Sequence, residues 1–381
     1  MIVAELENEA DRAAGAGDFA RARQLLEDAT KADPESARLW SKLSAMRKAS
    51  ADLAGALDAL DRALAITPLD FSMLLSRALL LERKEDPAAA QAFGHAVAQA
   101  PPDDELPPQV RPVLAHARDR WNRFQAASEQ RLTASIPSGL PEYEAKQVQR
   151  FVSNVSRRTR HFHQDPSDFH YPGLPEREVH DRADFPELSA LEASTDSIRA
   201  EFEALIAAEA AEMVPYIHYP DRVPLRQWKA LNNSRDWTAI HLLQNGRRIE
   251  ANARHCPETM ALIDTLPQPD IPGASPNAMF SLLAPRTRIP PHTGVANVRL
   301  VCHLPLIVPP GCGFRVGETQ LGWTIGQAFV FDDTIEHEAW NDSDELRVVL
   351  IVDLWAPALS EEERRAVSAI IAAGGVSFGS A

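Results

Sequence analysis

Apolar positions follow a helical spacing early in the chain and a strand-like alternation late in it. The early pattern is seen in "GDFARARQLLEDATKADPESARLW", which predicts a helix, a turn marked by proline and the start of a second helix. From about residue 237 the apolar positions fall in short runs, such as "WTAIHLL", "AMFSLLA", "NVRLVCHLPLIV" and "LRVVLIVDLW". Because Gly, Pro, Asn and Asp separate these runs, the later part is predicted to form an antiparallel sandwich or barrel.

The early helices repeat with a period of 34 residues. The recurring positions are aspartates at Asp18, Asp52 and Asp86, prolines at Pro34, Pro68 and Pro102, and alanines at Ala22, Ala56 and Ala90. Small alanines allow close helix contact, and proline ends a helix because it cannot continue one. Over about residues 4–100 the pattern resembles the tetratricopeptide repeat, with an Ala-rich helical bundle as the alternative. The resemblance implies a helical solenoid whose concave face commonly holds a peptide or another protein.

These patterns predict an α+β protein with several domains. The predicted regions are tetratricopeptide-like repeats at 1–102, a helical linker at 103–149, a β-rich catalytic domain at 150–358, and a C-terminal helix and tail at 359–381. The linker begins within "PPDDELPPQVRP" and closes with "IPSGLPEYEA", where proline and glycine interrupt the helical spacing.

Charge and cysteine content narrow the set of partners. The formal net charge is -15 at pH 7, which repels phosphate backbones, so we expect no nucleic-acid partner. We expect no membrane span, because no segment approaches the roughly 20 apolar residues that one requires. Cys256, Cys302 and Cys312 have no CxxC or finger spacing, which argues against a disulfide framework. With no signal-peptide pattern at the start, these features predict a cytoplasmic protein.

Four polar residues of the β-rich part form a candidate cofactor site. His292 lies at a loop-to-strand entry in "PPHTG", and His337 follows the strand "AFVFDD". Two imidazoles from adjacent strand ends can ligate a divalent metal, and neutral imidazole suits iron(II). Arg347 starts the next strand and would pair with a carboxylate, while Ser281 opens an earlier strand. A metal beside a buried arginine is what a 2-oxoglutarate-dependent oxygenase requires.

The usual iron site of such an oxygenase has two histidines and one carboxylate. Here the position two residues after His292 is Gly294, so the expected carboxylate is missing. Asp332 and Asp333 precede the second histidine, and either could supply the missing carboxylate. The favoured interpretation is that one of them orients an imidazole and the other caps the turn.

Residues 150–358 resemble the aspartyl/asparaginyl β-hydroxylase family. The resemblance is carried by "FSLLAPRTRIPPHTGVANVRLVCHLPLIVPPGCGFRVGE", by "GQAFVFDDTIEHEAWNDSDELRVVLIVDLWAP", and by the upstream "YPGLP" and "RDWTAIHLLQNGRR". It implies a double-stranded β-helix of the jelly-roll or cupin-like type. It also implies a glycine in place of the iron carboxylate, as at Gly294, with water completing the iron shell.

The resemblance assigns cofactors to particular residues. It implies Fe(II) binding by His292 and His337, and 2-oxoglutarate binding by Ser281, His303 and Arg347. Arg299 would face the carboxylate of the substrate, with a structural ion pair as the alternative. The family's second pocket arginine falls at Val301, and this departure removes a bidentate clamp for a carboxylate.

Alternation along "NVRLVCHLP" supports this arrangement. One face carries Val298, Leu300, Cys302 and Leu304, and the other carries Asn297, Arg299, Val301 and His303. We predict that the second face is the interior wall of the barrel, with its cation and imidazole directed into the cofactor pocket.

We therefore expect an Fe(II)- and 2-oxoglutarate-dependent dioxygenase that hydroxylates an aspartyl/asparaginyl-type residue of a protein or peptide, with succinate and CO2 as co-products. The repeats offer a docking surface for that substrate. One alternative is hydroxylation of a non-protein substrate, such as a lipid acyl chain or a free amino acid. Another is a non-catalytic repeat scaffold with an inactive barrel.

Two further groups of polar residues have weaker interpretations. His161, His163 and His170 lie in one loop without paired geometry, so we do not expect them to form a second metal site. Trp237, Gln244 and Asn245 could line the substrate end of the pocket. The alternative is that they serve core packing or turn formation.

Overall fold

The computed structural model describes residues 3–220 and 224–374. The chain divides into two compact units, residues 1–159 and residues 160–381. The finer division predicted from the sequence stays a prediction, and the predicted tail beyond residue 374 lies outside the described residues.

The first unit contains helices α1 to α8. They are α1 Val3–Gly15, α2 Phe19–Ala32, α3 Ala37–Ala49, α4 Leu53–Ile66, α5 Phe71–Arg83, α6 Ala89–Ala98, α7 Arg111–Thr133 and α8 Glu142–Val155. The second unit contains α9 Leu188–Ala193, α10 Thr195–Ala207, α11 Glu250–Ala253, α12 Pro257–Ile263 and α13 Glu361–Gly374. In the described part of the chain, no helix is both long and apolar enough to cross a bilayer.

The strands of the second unit are short. They are β1 Val214–Pro215, β2 Trp237–Gln244, β3 Arg247–Arg248, β4 Ala278–Leu283, β5 Thr287–His292, β6 Arg299–Ile307, β7 Cys312–Val316, β8 Thr319–Leu321, β9 Phe329–Phe331, β10 His337–Asn341 and β11 Arg347–Trp355.

The 34-residue period corresponds to a repeated pair of helices in the first unit. Asp18 and Asp52 cap α2 and α4, since each side chain accepts a hydrogen bond from the backbone N–H three residues later. Ala22 and Ala56 are fully buried, where their small side chains permit close helix contact. The helical repeat predicted from the sequence is therefore confirmed. In the third copy Asp86 instead accepts from the N–H of Ala88, two residues on.

The strands form two antiparallel sheets. The larger has the order β1-β2-β4-β11-β6-β9, with β3 paired to β2, and the smaller has the order β5-β10-β7-β8. Every pairing between these strands is antiparallel, as the alternation and the short turns predicted. The closer description as a double-stranded β-helix stays a prediction from the resemblance.

Both faces of β6 are buried, but in different cores. Leu300 and Leu304 pack in a core with residues of α10, α12 and α13. Val301 packs in a second core with Phe314 and Ala339 of the smaller sheet. Because the second core contains side chains from both sheets, the polar residues on the same face of β6 are also directed between the sheets.

Gly94 of α6 lies where a neighbouring helix approaches closely. A Cβ atom built at this position would lie 2.7 Å from the indole ring of Trp121 in α7. Glycine therefore permits this contact, although glycine in a helix interior costs about 1 kcal/mol relative to alanine.

We predict that Gly94→Ala destabilises the protein by about 1–3 kcal/mol, because the Trp121 ring has to move. Gly15→Ala is the matched control, since a Cβ there meets no atom within 4 Å. Urea unfolding followed by circular dichroism measures both variants. A Gly94→Ala protein as stable as the control would contradict the close contact.

Candidate active site

Two histidines face each other across neighbouring strands of the smaller sheet. His292 ends β5, His337 begins β10, and the two are direct partners in the strand register. Their ring centroids lie 4.0 Å apart. The antiparallel register thus produces the pair that the sequence predicted for adjacent strand ends.

Backbone hydrogen bonds set the tautomer of both rings. Nδ1 of His292 donates to the carbonyl of Pro290 at 2.8 Å, and Nδ1 of His337 donates to the carbonyl of Ile335 at 3.1 Å. A neutral imidazole that donates through Nδ1 carries its lone pair on Nε2. Both Nε2 atoms are therefore in the form that binds a metal ion.

Removal from water keeps both imidazoles neutral. It lowers the pKa of His292 to about 3, with a further contribution from nearby His337. It also lowers the pKa of His337 to about 4. At pH 7 neither ring has to lose a proton before it binds a cation.

Both rings line a cavity of about 130 Å³. Of the other residues predicted for the site, His303, Arg347 and Arg299 also line it. Ser281 is not among the lining residues; it lies inside β4 rather than at its start, and its Oγ accepts a hydrogen bond from Trp237 Nε1 at 3.1 Å.

The space beside Gly294 is filled by an acidic side chain. A Cβ atom built at Gly294 would overlap the carboxylate of Asp333. Oδ2 of Asp333 accepts from Arg299 Nη2 at 2.8 Å, but its buried Oδ1 has no hydrogen-bond partner among the described residues. Burial raises the pKa of Asp333 and Arg299 opposes that rise. A carboxylate therefore lies next to the histidine pair although residue 294 is glycine.

The neighbouring Asp332 has a different role. Its Oδ1 accepts hydrogen bonds from the N–H and the hydroxyl of Thr334, at 2.9 and 2.6 Å. Its Oδ2 accepts from Gln164 Nε2 at 2.5 Å. Asp332 thus caps the turn after β9, whereas Asp333 binds Arg299 rather than an imidazole.

The other end of the cavity contains a buried cation. Arg347, at the start of β11, is 2% exposed and lies 4.4 Å from the ring centroid of Trp323. Among the described residues it has no ion-pair partner, and its Nε has no hydrogen-bond partner. Burial lowers the pKa of Arg347 to about 9, so it is still charged at pH 7. Nδ1 of His303 likewise lacks a hydrogen-bond partner. Unpaired buried donors are costly unless a ligand accepts from them.

Arg299 is bound on two sides by carboxylates. Its Nη2 lies 2.8 Å from Asp333 Oδ2, and its Nη1 lies 3.4 Å from Asp353 Oδ1. Burial disfavours the charged guanidinium, but the two carboxylates outweigh it and raise the pKa of Arg299. The ion pair considered as an alternative for Arg299 is therefore present, while its contact with a substrate stays a prediction.

Aromatic side chains that the sequence analysis missed complete the cavity wall. Tyr216 stacks on Trp237 with ring centroids 3.8 Å apart, and the ring centroids of Trp228 and His292 lie 4.9 Å apart. The aromatic content of "YIHYPDRVPLRQW" was the only signal for this wall. Of the weaker candidates, Trp237 lines the cavity, whereas Gln244 and Asn245 are not among its lining residues.

A second cluster of metal-binding residue types lies at the surface. His161, His163 and Glu176 each place one ligand atom within 4.8 Å of the others, and His170 is not part of the group. His163 contacts Glu176 through Nδ1 at 3.1 Å and His161 through Nε2 at 3.0 Å. One metal ion cannot bind both nitrogens of one ring, so these contacts form a hydrogen-bonded chain.

Comparison with known proteins shows what the second unit is similar to. Residues 192–357 match the profile of a family described as "Aspartyl/Asparaginyl beta-hydroxylase". The human protein "Aspartyl/asparaginyl beta-hydroxylase" is 37% identical over 37% of this chain and 18% of its own length. Human "Aspartate beta-hydroxylase domain-containing protein 2" is 33% identical over 55% of this chain and 56% of its own. "Ornithine lipid ester-linked acyl 2-hydroxylase" of Rhizobium tropici is 35% identical over 50% of this chain and 64% of its own.

Helical proteins of known structure are similar to part of the chain. The Yersinia enterocolitica type III secretion chaperone SycD, in complex with a peptide of the translocator YopD, is 14% identical. That match covers 32% of this chain and 92% of the chaperone chain, with a TM-score of 0.29. The description of the first unit as helical repeats depends on its own 34-residue period and helix caps.

The chain spans between 18% and 64% of the length of the three relatives that it matches. Residues 192–357 contain both histidines, Gly294 and Arg347. The part of the chain that matches the aspartyl/asparaginyl beta-hydroxylase family model is therefore the part that holds the candidate site.

Proposed function

We propose that the chain is an iron(II)- and 2-oxoglutarate-dependent dioxygenase that hydroxylates its substrate. The proposal depends on one observation: the paired neutral imidazoles of His292 and His337 share a cavity with the unpaired guanidinium of Arg347. Nitrogen donors suit a divalent transition metal, and a buried cation suits the carboxylate of a keto acid. The hydroxylase names of the relatives support an enzyme of this class.

The residues present fit a metal ion. His292 and His337 would hold it through Nε2, because both Nδ1 atoms already donate to backbone carbonyls. Asp333, whose buried Oδ1 has no hydrogen-bond partner among the described residues, would accept a hydrogen bond from a water held in the site. That carboxylate would compensate for the ligand that Gly294 does not supply.

The residues present also fit 2-oxoglutarate. Arg347 would bind the carboxylate far from the metal, since no acidic side chain among the described residues neutralises it. His303 would donate through its unpartnered Nδ1. Ser281 lies diagonally across the β4–β11 ladder from Arg347, because Leu283 pairs with Arg347 and Ser281 pairs with Val349. Its hydroxyl is therefore on the same side of the sheet as the guanidinium.

When bound, iron(II) and 2-oxoglutarate supply the oxidising power that places an oxygen atom from dioxygen in a C–H bond, with succinate and CO2 as co-products. The chain's own residues bind and orient the reactants and exclude water. Trp228, Tyr216 and Trp237 shield the His292 side of the cavity.

We propose an aspartyl/asparaginyl-type residue of a protein or peptide as the substrate, with the helical repeats as a docking surface. Val301, an apolar residue in place of the family's second pocket arginine, favours one alternative: a non-protein substrate such as a lipid acyl chain or a free amino acid. A non-catalytic scaffold is disfavoured, because an inactive site gives no physical reason to keep an unpaired buried arginine.

We predict that anaerobic addition of iron(II) and then 2-oxoglutarate produces a visible charge-transfer band. His292→Ala and His337→Ala should weaken iron binding by at least about tenfold, since each removes a ligand. Arg347→Ala should retain iron but weaken 2-oxoglutarate binding. Titration followed by absorbance measures both constants.

Two substitutions control for folding in this titration. His180→Gln replaces a buried histidine that lines a different cavity of the same unit, and Arg288→Ala removes an exposed arginine. Both should behave as wild type. A wild-type protein without the band, or a band that survives loss of both histidines, would contradict the proposed cofactors.

We predict that Gly294→Asp does not create an ordinary two-histidine, one-carboxylate site. The new side chain would overlap the Asp333 carboxylate, so stability should fall by about 1–3 kcal/mol or more. Adding Asp333→Gly should recover at least half of the loss, because it empties the same space. Thermal unfolding measures this, with Gly322→Asp as the control at a position where a Cβ meets nothing within 4 Å. An unchanged melting temperature for Gly294→Asp would show that Asp333 does not occupy the space.

A further inference from the structure

We propose that the substrate presents an uncharged group to the cavity beside Arg299, and that a carboxylate is discriminated against there. The inference rests on the proposed function and adds the chemical class of the group next to the hydroxylated carbon. It is carried by the side chains around Arg299 and by their contrast with the cofactor end of the same cavity.

The guanidinium that would attract a carboxylate is already neutralised. Asp333 and Asp353 bind it from two sides, and all three side chains are buried. Together these three groups carry a net charge of about -1 when ionised. An additional carboxylate would meet two like charges and one shared cation in a medium of low dielectric.

The carboxylate of Asp353 is fixed by hydrogen bonds to the oxygen that does not face Arg299. Oδ2 of Asp353 accepts hydrogen bonds from Ser275 Oγ at 2.9 Å and from Asn277 Nδ2 at 2.8 Å. It also accepts from the backbone N–H of Asn277 at 3.1 Å. These donors leave Oδ1 directed at Arg299, so Asp353 cannot turn away to release the guanidinium without losing them.

Among the residues that the structure describes, the wall beside Arg299 offers no second cation. Val301 is the next residue on the same face of β6, and Phe331 and Asp353 are its partners on the adjacent strands. Met279 and Ile351 line the same cavity. The surface that a substrate group meets next to the ion pair is therefore mainly apolar.

The cofactor end has the opposite character. Arg347 has no ion-pair partner among the described residues, whereas Arg299 has two. Because one arginine is unpaired and the other is neutralised, the two ends of the cavity favour ligand groups of different charge. The dicarboxylate is directed to Arg347, and the group at Arg299 is uncharged.

The test uses an isosteric pair of small probes at pH 7.5. N-acetyl-L-asparagine amide and N-acetyl-L-aspartate amide differ only in whether the side chain is neutral or charged, and N-acetyl-L-leucine amide adds an alkyl arm. Each is titrated into full-length protein loaded anaerobically with iron(II) and 2-oxoglutarate, and its effect on the charge-transfer band is recorded. We expect the asparagine or the leucine probe to bind at least about tenfold more tightly than the aspartate probe.

Two variants test the cause of the preference. Val301→Arg adds a guanidinium beside Arg299, and Asp353→Asn removes one of the carboxylates that neutralise it. Either should lower the preference for the uncharged probe by at least about tenfold. Val301→Leu keeps the wall apolar and should retain the wild-type preference. Asp353→Asn serves if Val301→Arg does not fold, because it keeps the side-chain shape.

The outcomes separate this inference from the proposed function. Absence of the charge-transfer band overturns the proposed cofactors. A normal band with aspartate binding as tightly as the uncharged probes overturns the inference alone. A preference that neither variant changes also overturns the inference. Failure of every probe to bind the wild type and both variants overturns it as well.

Discussion

The antiparallel register of β5 with β10 is the constraint on which the proposed site depends. It makes His292 and His337 direct partners, and the carbonyl two residues before each ring fixes the same tautomer in both. A shift of one residue would turn one imidazole to the opposite face of the sheet. The geometry of the histidine pair is therefore a property of strand pairing, not of a flexible loop.

The two buried arginines of this cavity differ in whether their charge is paired. Arg299 and Arg347 are both buried on strands of the larger sheet, yet within the described part of the chain only Arg299 has carboxylates within ion-pair distance. A buried unpaired cation is tolerated when a ligand supplies the missing charge, and a buried paired one needs none. The sheet thus places a ligand-dependent arginine at one end and a self-sufficient ion pair at the other.

Sequence periodicity predicted the local features well. The 34-residue spacing singled out Asp18 and Asp52, which the structure shows to be helix caps, and alternation along β6 placed Arg299 with His303 on one face. Such features depend on a few neighbouring residues. The partners of Arg299 and the contact of Asp333 with the space beside Gly294 depend on distant segments, so the sequence offered Asp333 and an Arg299 ion pair only as alternatives and could not choose them. Ser281 was placed at a strand start for the same reason, since its strand is defined by pairing with β2 and β11.

Gly294 shows how these long-range contacts alter a local interpretation. From the sequence, the residue is a missing ligand two positions after His292. In the fold, its lack of a side chain admits the carboxylate of Asp333, whose Oδ2 is the atom nearest to a Cβ built at Gly294 and also accepts from Arg299. In the function proposed above, this one acidic residue would contact both the metal side and the substrate side of the cavity. Changes at Asp333 should therefore affect the two sides together, whereas changes at Asp353 should affect the substrate side alone.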